Sequence, residues 1–173
     1  MINQQQLWDE DAANQYDTPG EGMFSPEVLA PTVDVLSQLA GGGPAIEFAI
    51  GTGRVAIPLS EAGVQVSGIE LSHAMISRLR EKAGEDHIPV VQGDMTEAAA
   101  GDHFSLAFLV YNTIANLLTQ EDQVRCLQNA CPSSCTRRAL RHRALGATAA
   151  FAAIRTRRDG RGESAGVSPG RHL

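Results

Sequence analysis

The sequence predicts an α/β protein built on a doubly wound, Rossmann-like parallel sheet, and three observations support that prediction. A short apolar run at residues 45–50 enters the glycine turn Gly51-Thr52-Gly53, and an alanine-rich apolar segment follows. Two further strand-like runs, at 64–69 and 88–91, are each followed by an acidic residue, Glu70 and Asp94. Strand, tight loop and helix in that order form the first unit of such a sheet, whose ligands bind where the strands end.

The segments around these strands have the end signals of helices. An amphipathic pattern covers residues 7–16, and a second begins near Pro26 and stops at the glycines 41–43. Ser72 can cap a third helix, and residues 119–122 resemble a capping box that begins a fourth. Helices therefore alternate with the predicted strands.

The glycine turn is the first candidate binding element. Gly51 and Gly53 can adopt positive φ, and a residue without Cβ lets a ligand contact the backbone. The helix that follows offers unpaired N–H groups to a polar or anionic ligand. A ligand containing a nucleoside is therefore expected at this turn.

Two strand ends indicate which parts of a nucleoside are bound. Glu70 stands 19 residues after Gly51, where a carboxylate can accept both hydroxyls of a ribose. Asp94 can accept the exocyclic amine of an adenine, and Met95 can lie against the face of the ring. Together the three strand ends predict a site for an adenosine with a polar tail.

Four motifs in this order resemble those of the class I S-adenosylmethionine-dependent methyltransferases, most closely the small bacterial enzymes. They are Glu47-Phe-Ala-Ile-Gly51-Thr-Gly53-Arg54, Gly68-Ile-Glu70-Leu-Ser72, Gln92-Gly-Asp94-Met95 and Phe104-Ser-Leu-Ala-Phe-Leu-Val-Tyr-Asn112-Thr. The resemblance covers about residues 7–130. It implies the fold of that family, of which this chain would supply strands 1 to 4. It also implies S-adenosyl-L-methionine as the cofactor of methyl transfer to a nitrogen, oxygen or carbon of a small molecule.

The resemblance also implies roles for individual residues along the first strand and its loop. Gly51 and Gly53 would let the backbone approach the methionine part of the cofactor, and Glu47 would order the loop, including Thr52, and meet the ammonium group. Arg54 stands where the family often has a third glycine. Arginine is acceptable there because that position begins the helix and does not need positive φ.

The remaining implied roles belong to the other strand ends and to the N-terminal segment. Glu70 would hold the ribose hydroxyls, and Asp94 would meet the adenine amine. Leu71 and Met95 would enclose the ring. The residues implied near the methionine part and the methyl-transfer face are Tyr16, which precedes Asp17 in an aromatic-Asp pair, Tyr111 and Asn112.

A dinucleotide-binding oxidoreductase is the rival enzyme class. Gly51-x-Gly53-x-x-Ala56 fits the alanine form of the dinucleotide fingerprint, and Glu70 lies at the expected distance. However, Glu47 in the first strand would repel a pyrophosphate, and the Gly-Asp-Met after the third strand has no counterpart in that fingerprint. The sequence therefore favours the methyltransferase over an NAD enzyme.

Composition and charge restrict the class further. The 173 residues are 43% hydrophobic and 20% charged, which suffices for one modest core. No apolar run approaches the ~20 residues that span a bilayer, and the start lacks the basic and apolar blocks of a signal peptide, so a cytoplasmic protein is expected. Residues 1–130 hold 18 acidic and 5 basic side chains, which argues against nucleic acid as a partner.

The composition changes near residue 130. Residues 131–173 hold nine arginines, no lysine and only two acidic residues, Asp159 and Glu163, and hydrophobic periodicity fades. An irregular tail that binds a polyanion is one interpretation. Cys126, Cys131 and Cys135 lack the paired spacing of zinc ligands, so neither a metal nor a disulfide is predicted.

A change of reading frame explains the tail better. Removing one base from the codon of Cys131 permits Ala-Arg-His-Leu-Ala-Pro-Gly-Gly-Arg-Phe-Val-Ile-Glu over the stretch to Arg143, which supplies the turn and fifth strand that the family needs. The predicted units are an N-terminal helical cap (1–44), a cofactor-binding half-domain (45–130) and a frameshifted tail (131–173). Strand 4 would then lie at an edge. A non-catalytic remnant that keeps cofactor affinity is the alternative function.

Overall fold

The computed structural model describes residues 8–84, 87–99, 101, 103–130, 138–145 and 148–155. Cys131 and Cys135 lie outside these residues. The helices are α1 Glu10–Tyr16, α2 Pro26–Ala40, α3 Ala56–Glu61, α4 His73–Ala83 and α5 Gln120–Ala130, with 3₁₀ turns at Gly22–Phe24 and Thr113–Asn116. The strands are β1 Ala45–Phe48, β2 Val66–Glu70, β3 Val90–Gln92, β4 Leu106–Val110, β5 Arg138–Leu145 and β6 Thr148–Arg155. None of the described helices is both long and apolar enough to cross a membrane.

The helix ends follow the signals in the sequence. Pro26 occupies the first turn of α2, and Gly41, at φ 58°, ends it in the left-handed conformation. The Ser72 hydroxyl accepts the N–H of Met75 at 3.2 Å at the start of α4. The Thr119 hydroxyl accepts the N–H of Asp122 at 3.1 Å at the start of α5. The predicted caps at Ser72 and Thr119 are thus confirmed.

The sheet has the order β3-β2-β1-β4-β6-β5. Its first four strands are parallel, with β1 between β2 and β4. The chain leaves β1 toward β2 and β3 and then returns to the other side with β4. This reversal creates a crevice at the carboxyl ends of β1 and β4, the place where ligands of such sheets bind. The predicted α/β class, with a doubly wound sheet of four parallel strands, is confirmed.

The C-terminal segment differs from the prediction. Residues 138–145 and 148–155 form strands rather than an irregular tail, and β6 pairs antiparallel with all of β4, from Leu106↔Ile154 to Val110↔Ala150. The unpaired strand 4 expected from the sequence is therefore covered. An exposed strand edge presents free N–H and C=O groups to any extended segment, which is the physical reason for this pairing.

Apolar side chains cover both faces of the sheet. One core lies under α2, α3 and α4 and includes Leu36, Leu59 and Leu79. The other lies under α5 and includes Phe48 and Cys126. Helices on both faces make the sheet doubly wound and fix the crevice between its layers.

Candidate functional site

The loop after β1 forms the floor of the crevice. Gly51 and Gly53 both have positive φ, 58° and 82°. A Cβ on Gly51 would face open space, whereas one on Gly53 would lie 3.0 Å from Ile57 and 3.1 Å from Leu79. Gly51 therefore leaves the backbone open to a ligand, and Gly53 allows the loop to pack closely against α3 and α4.

Glu70, the last residue of β2, joins this loop to the next strand end. Its Oε2 accepts the N–H of Gly51 at 2.8 Å, and its Oε1 accepts the N–H of Ser72 at 2.9 Å. The residue is only 6% exposed. Burial raises the pKa of Glu70, and backbone N–H groups of Ser72, Gly51 and Leu71 oppose the rise. A carboxylate has about four acceptor positions, so further donors can still bind it.

Two adjoining cavities open at this end of the sheet. The larger, of about 270 Å³, is lined by residues of the N-terminal segment, the glycine loop and the end of β4: Trp8, Tyr16, Met23, Ala49, Gly51, Glu70, Met75, Tyr111, Asn112, Thr113 and Asn116. The smaller, of about 40 Å³, follows the ends of β2 and β3: Trp8, Ala49, Ile69, Glu70, Leu71, Gly93, Asp94, Met95, Thr113 and Asn116. Glu70 lines both and lies at their junction.

The structure brings together eight of the residues named from the sequence. Leu71, Asp94 and Met95 line the smaller cavity, and Tyr16, Gly51, Tyr111 and Asn112 line the larger one, with Glu70 in both. An Asp94 oxygen accepts the N–H of Thr96 at 2.7 Å, which fixes the carboxylate at the loop after β3.

The other four named residues line neither cavity. Gly53 packs against α3 and α4, and Thr52, 1% exposed, donates its hydroxyl to Asp17 at 2.6 Å. Arg54 is buried, with its guanidinium carbon 4.3 Å from the centre of the Tyr111 ring. Glu47 is also buried. These four residues belong to β1 or the glycine loop and are turned away from both cavities.

Glu47 is a buried acid of β1 that contacts the residue after the glycine loop, Ala56. Burial, with the Glu70 carboxylate nearby, raises the pKa of Glu47 to about 8, while Arg54 and the N–H of Ala56 act in the opposite direction. The N–H of Ala56 reaches Glu47 from the start of α3, which ties the two ends of the loop together. Its Oε2 has no hydrogen-bond partner among the described residues. Glu47 thus connects β1 with the start of α3, and its raised pKa favours the protonated form at pH 7.

Backbone strain is concentrated at the larger cavity. Ala49, Tyr111 and Asn112 have φ of 52°, 65° and 58°, and in the described part of the chain they are the residues other than glycine with positive φ. All three line the larger cavity. Each such conformation costs about 1–3 kcal/mol and persists where the surroundings fix it, which is typical of binding sites.

Several lining residues were not identified as site residues from the sequence. Met23, Met75 and Asn116 belong to none of the four motifs. Trp8, within the amphipathic pattern of residues 7–16, lines both cavities. The aromatic-Asp pair is the one sequence signal in this N-terminal segment. Tyr16 lines the larger cavity, and Asp17 accepts the Thr52 hydroxyl of the glycine loop.

Part of the chain resembles known proteins in sequence. A family model described as a methyltransferase domain matches residues 45–133. An uncharacterized methyltransferase of Geobacillus sp. (strain WCH70) is 38% identical over 92 residues, which are 51% of this chain and 43% of that protein.

Solved structures show the same fold. The CcbJ methyltransferase from Streptomyces caelestis has a TM-score of 0.59 and 31% identity, and the match covers 70% of this chain and 49% of that one. The sugar N-methyltransferase KedS8 from Streptoalloteichus sp. ATCC 53650 has a TM-score of 0.50 and 25% identity, with 57% and 39% covered. The chain thus spans about half the length of these relatives, or less.

Replacing Glu47 with glutamine is expected to change how stability depends on pH. The folded-state pKa of about 8 lies above the ordinary value of 4.5, so between these values the folded protein holds a proton that the unfolded chain releases. The free energy of unfolding of the wild-type protein therefore falls as the pH rises from 5 to 8, by about 3–4 kcal/mol relative to Glu47→Gln. Urea unfolding of both proteins measures this difference. Glu61→Gln, at an exposed position, is the control, and parallel pH curves for wild type and Glu47→Gln would contradict the assignment.

Proposed function

This chain belongs to the family of methyltransferase domains, and we propose that it binds S-adenosyl-L-methionine across the two cavities and transfers its methyl group to a small molecule. The observation that carries the proposal is the position of Glu70, a buried carboxylate at the junction of the two cavities. In this cofactor the ribose connects the adenine with the methionine part. A hydrogen-bond acceptor for its hydroxyls is therefore needed where the two compartments meet.

The smaller cavity, of about 40 Å³, marks where one edge of the adenine would bind. Leu71 and Met95 offer apolar and polarisable surface to a flat ring. Asp94, held by the N–H of Thr96, offers a carboxylate oxygen to an exocyclic amine. The side chains therefore match the chemistry of adenine rather than that of a charged group.

The larger cavity suits the methionine part. Gly51 leaves the loop backbone open on that side, and Tyr16 and Tyr111 offer aromatic surface, which favours a cation such as a sulfonium. Below the loop, Glu47 is an unsatisfied buried acid. A pyrophosphate would oppose ionisation of this acid, whereas the ammonium of a methionine part would favour it, which supports the methyltransferase over the dinucleotide-binding alternative.

Catalysis at such a site depends mainly on position. When bound, the cofactor supplies a methyl group on a positively charged sulfur, a good leaving group for direct displacement by a nucleophile. The protein must hold the two reactants in line and exclude water. We assign Tyr111 and Asn112 to the border of the transfer path, because the strained backbone holds both at the larger cavity. No residue is assigned as a general base.

The lining of the larger cavity restricts the acceptor. Among the residues described there, three are aromatic, two are methionines and two are amides, whereas none is basic. A carboxylate or phosphate would find no counter-charge beside Glu70. We therefore propose a neutral or amine-bearing small molecule as the acceptor. The relation to KedS8, a sugar N-methyltransferase, supports this class.

We further propose that the chain divides into the cap (1–44), the cofactor-binding unit (45–130) and a tail (131–173) read in a shifted frame near codons 129–131. The support is the peptide with Pro-Gly-Gly and Phe-Val-Ile that a one-base change restores after Ala130. Sequencing the source DNA across codons 125–145 is expected to recover that frame. A confirmed present frame would contradict the proposal and assign the arginine-rich tail to the protein.

Glu70→Gln is expected to weaken binding of S-adenosylhomocysteine by about tenfold or more, since a hydrogen bond to a charged group contributes roughly 1.5–3 kcal/mol. Isothermal titration calorimetry of the full chain measures the affinity, and Glu61→Gln, at an exposed glutamate of α3, is the matched control. NAD should give no binding heat. Equal affinity of Glu70→Gln and wild type would contradict the role of Glu70. A second assay incubates the chain with S-adenosylmethionine and an amine acceptor and measures the S-adenosylhomocysteine formed. Formation of this product indicates an enzyme, and its absence indicates a non-catalytic remnant.

A further inference from the structure

One wall of the larger cavity is built from the segment Trp8–Phe24, which we call the aromatic segment. Its three rings form a chain: Trp8 meets Tyr16 at 5.8 Å between ring centres, and Tyr16 meets Phe24 at 5.9 Å, both edge to face. Trp8, Tyr16 and Met23 line the larger cavity. The shape of that cavity therefore depends on how this segment is held.

Polar contacts hold the aromatic segment at both ends and in the middle. The Ser72 hydroxyl donates to the carbonyl of Trp8. The Asp17 carboxylate accepts from the Thr52 hydroxyl and from the Lys82 ammonium, each at 2.6 Å. At the far end, Arg54 Nη1 donates to the carbonyl of Met23 at 3.2 Å. The contacts of Trp8 and Asp17 reach only α4, its cap Ser72 and the glycine loop.

Arg54 connects the aromatic segment with the opposite wall. Its guanidinium carbon lies 4.3 Å from the ring centre of Tyr111 and 5.8 Å from that of Phe24. Burial raises the pKa of Tyr16, and the charge of Arg54 and a hydrogen bond from it counter that rise. A planar guanidinium can stack on one ring while its edge donates to a carbonyl, which a lysine ammonium cannot do.

Tyr111 needs such support. Its φ of 65° is unfavourable for a residue with a large side chain. Stacking on a desolvated cation stabilises the ring in that position. Arg54, only 9% exposed and fixed at the end of the glycine loop, thus contacts residues on both sides of the larger cavity without lining it.

We propose that Arg54 is a positioning residue: its guanidinium locks the aromatic segment and Tyr111 together, so that the wall of the larger cavity forms only while this side chain is in place. The inference explains why a long cation stands where the family motif often has a glycine. It deepens the proposed function, on which it rests for the identity of the ligand alone.

Trp8 is the single tryptophan of the chain and reports directly on the aromatic segment. In Arg54→Met, acrylamide should quench Trp8 fluorescence more strongly than in wild type. Amide exchange in residues 9–24 should be about tenfold faster, since a buried cation–π contact and a charged hydrogen bond together contribute at least that factor. Arg80→Met, at an exposed arginine of α4, is the matched control and should resemble wild type. A folded Arg54→Met with unchanged quenching and exchange would overturn the proposal.

Further variants separate positioning from bulk packing. Arg54→Lys keeps the charge but loses the planar guanidinium, so amide exchange in residues 9–24 should stay faster than in wild type. Arg54→Ala should regain protection when millimolar guanidinium is added, and methylammonium should not replace it. Restoration by lysine, or equal rescue by both cations, would overturn the role of the planar group. If Arg54→Met does not fold, Tyr111→Leu removes the ring on the other side of the cation and should also loosen residues 9–24. Unchanged amide exchange in residues 9–24 of Tyr111→Leu would contradict the positioning role of Arg54.

Ligand binding distinguishes this inference from the proposed function. Quenching and exchange are measured without ligand, so they decide the role of Arg54 even if the wild type does not bind S-adenosylhomocysteine. Where wild type binds it, Arg54→Met should bind about tenfold more weakly, because the ligand must then order the aromatic segment itself.

Discussion

The carboxylate of Glu70 makes the interaction on which the rest of the site depends. It holds the N–H of Gly51 on one side and the N–H of Ser72 on the other, so the ends of two neighbouring strands are fixed relative to each other. Ser72 in turn caps α4 and binds the carbonyl of Trp8. A buried acid of this kind is costly to desolvate, and the N–H groups it accepts offset that cost.

Around this junction the site is organised as two compartments with different chemistry. The smaller cavity takes its character from the loop after β3, where Asp94 is held by a backbone N–H. The larger takes its character from aromatic rings, thioethers and strained backbone at the end of β4. Buried groups below the loop, Glu47 and Arg54, add one titratable acid and one fixed cation. Glu70 both lines the cavities and holds the loop, whereas Glu47 and Arg54 lie near the loop without lining a cavity.

Local signals in the sequence predicted the residues whose role depends on the strand ends. The glycine turn, Glu70 and Asp94 could be identified because parallel strands place their carboxyl ends at one edge, whatever the details of packing. Met23 and Asn116 could not, since they reach the cavity only through the path of the surrounding loops. The direction of the Arg54 side chain depends on Tyr111 and Phe24, which are distant in sequence. The pairing of β6 with β4 follows from an open strand edge, which no local motif encodes.

The most direct test is a crystal structure of the full chain with S-adenosylhomocysteine. We expect both ribose hydroxyls to lie within hydrogen-bond distance of the Glu70 carboxylate, with the adenine between Leu71 and Met95 and the homocysteine directed toward Gly51. A ligand bound with its ribose away from Glu70, or with its adenine in the larger cavity, would contradict the role proposed for Glu70.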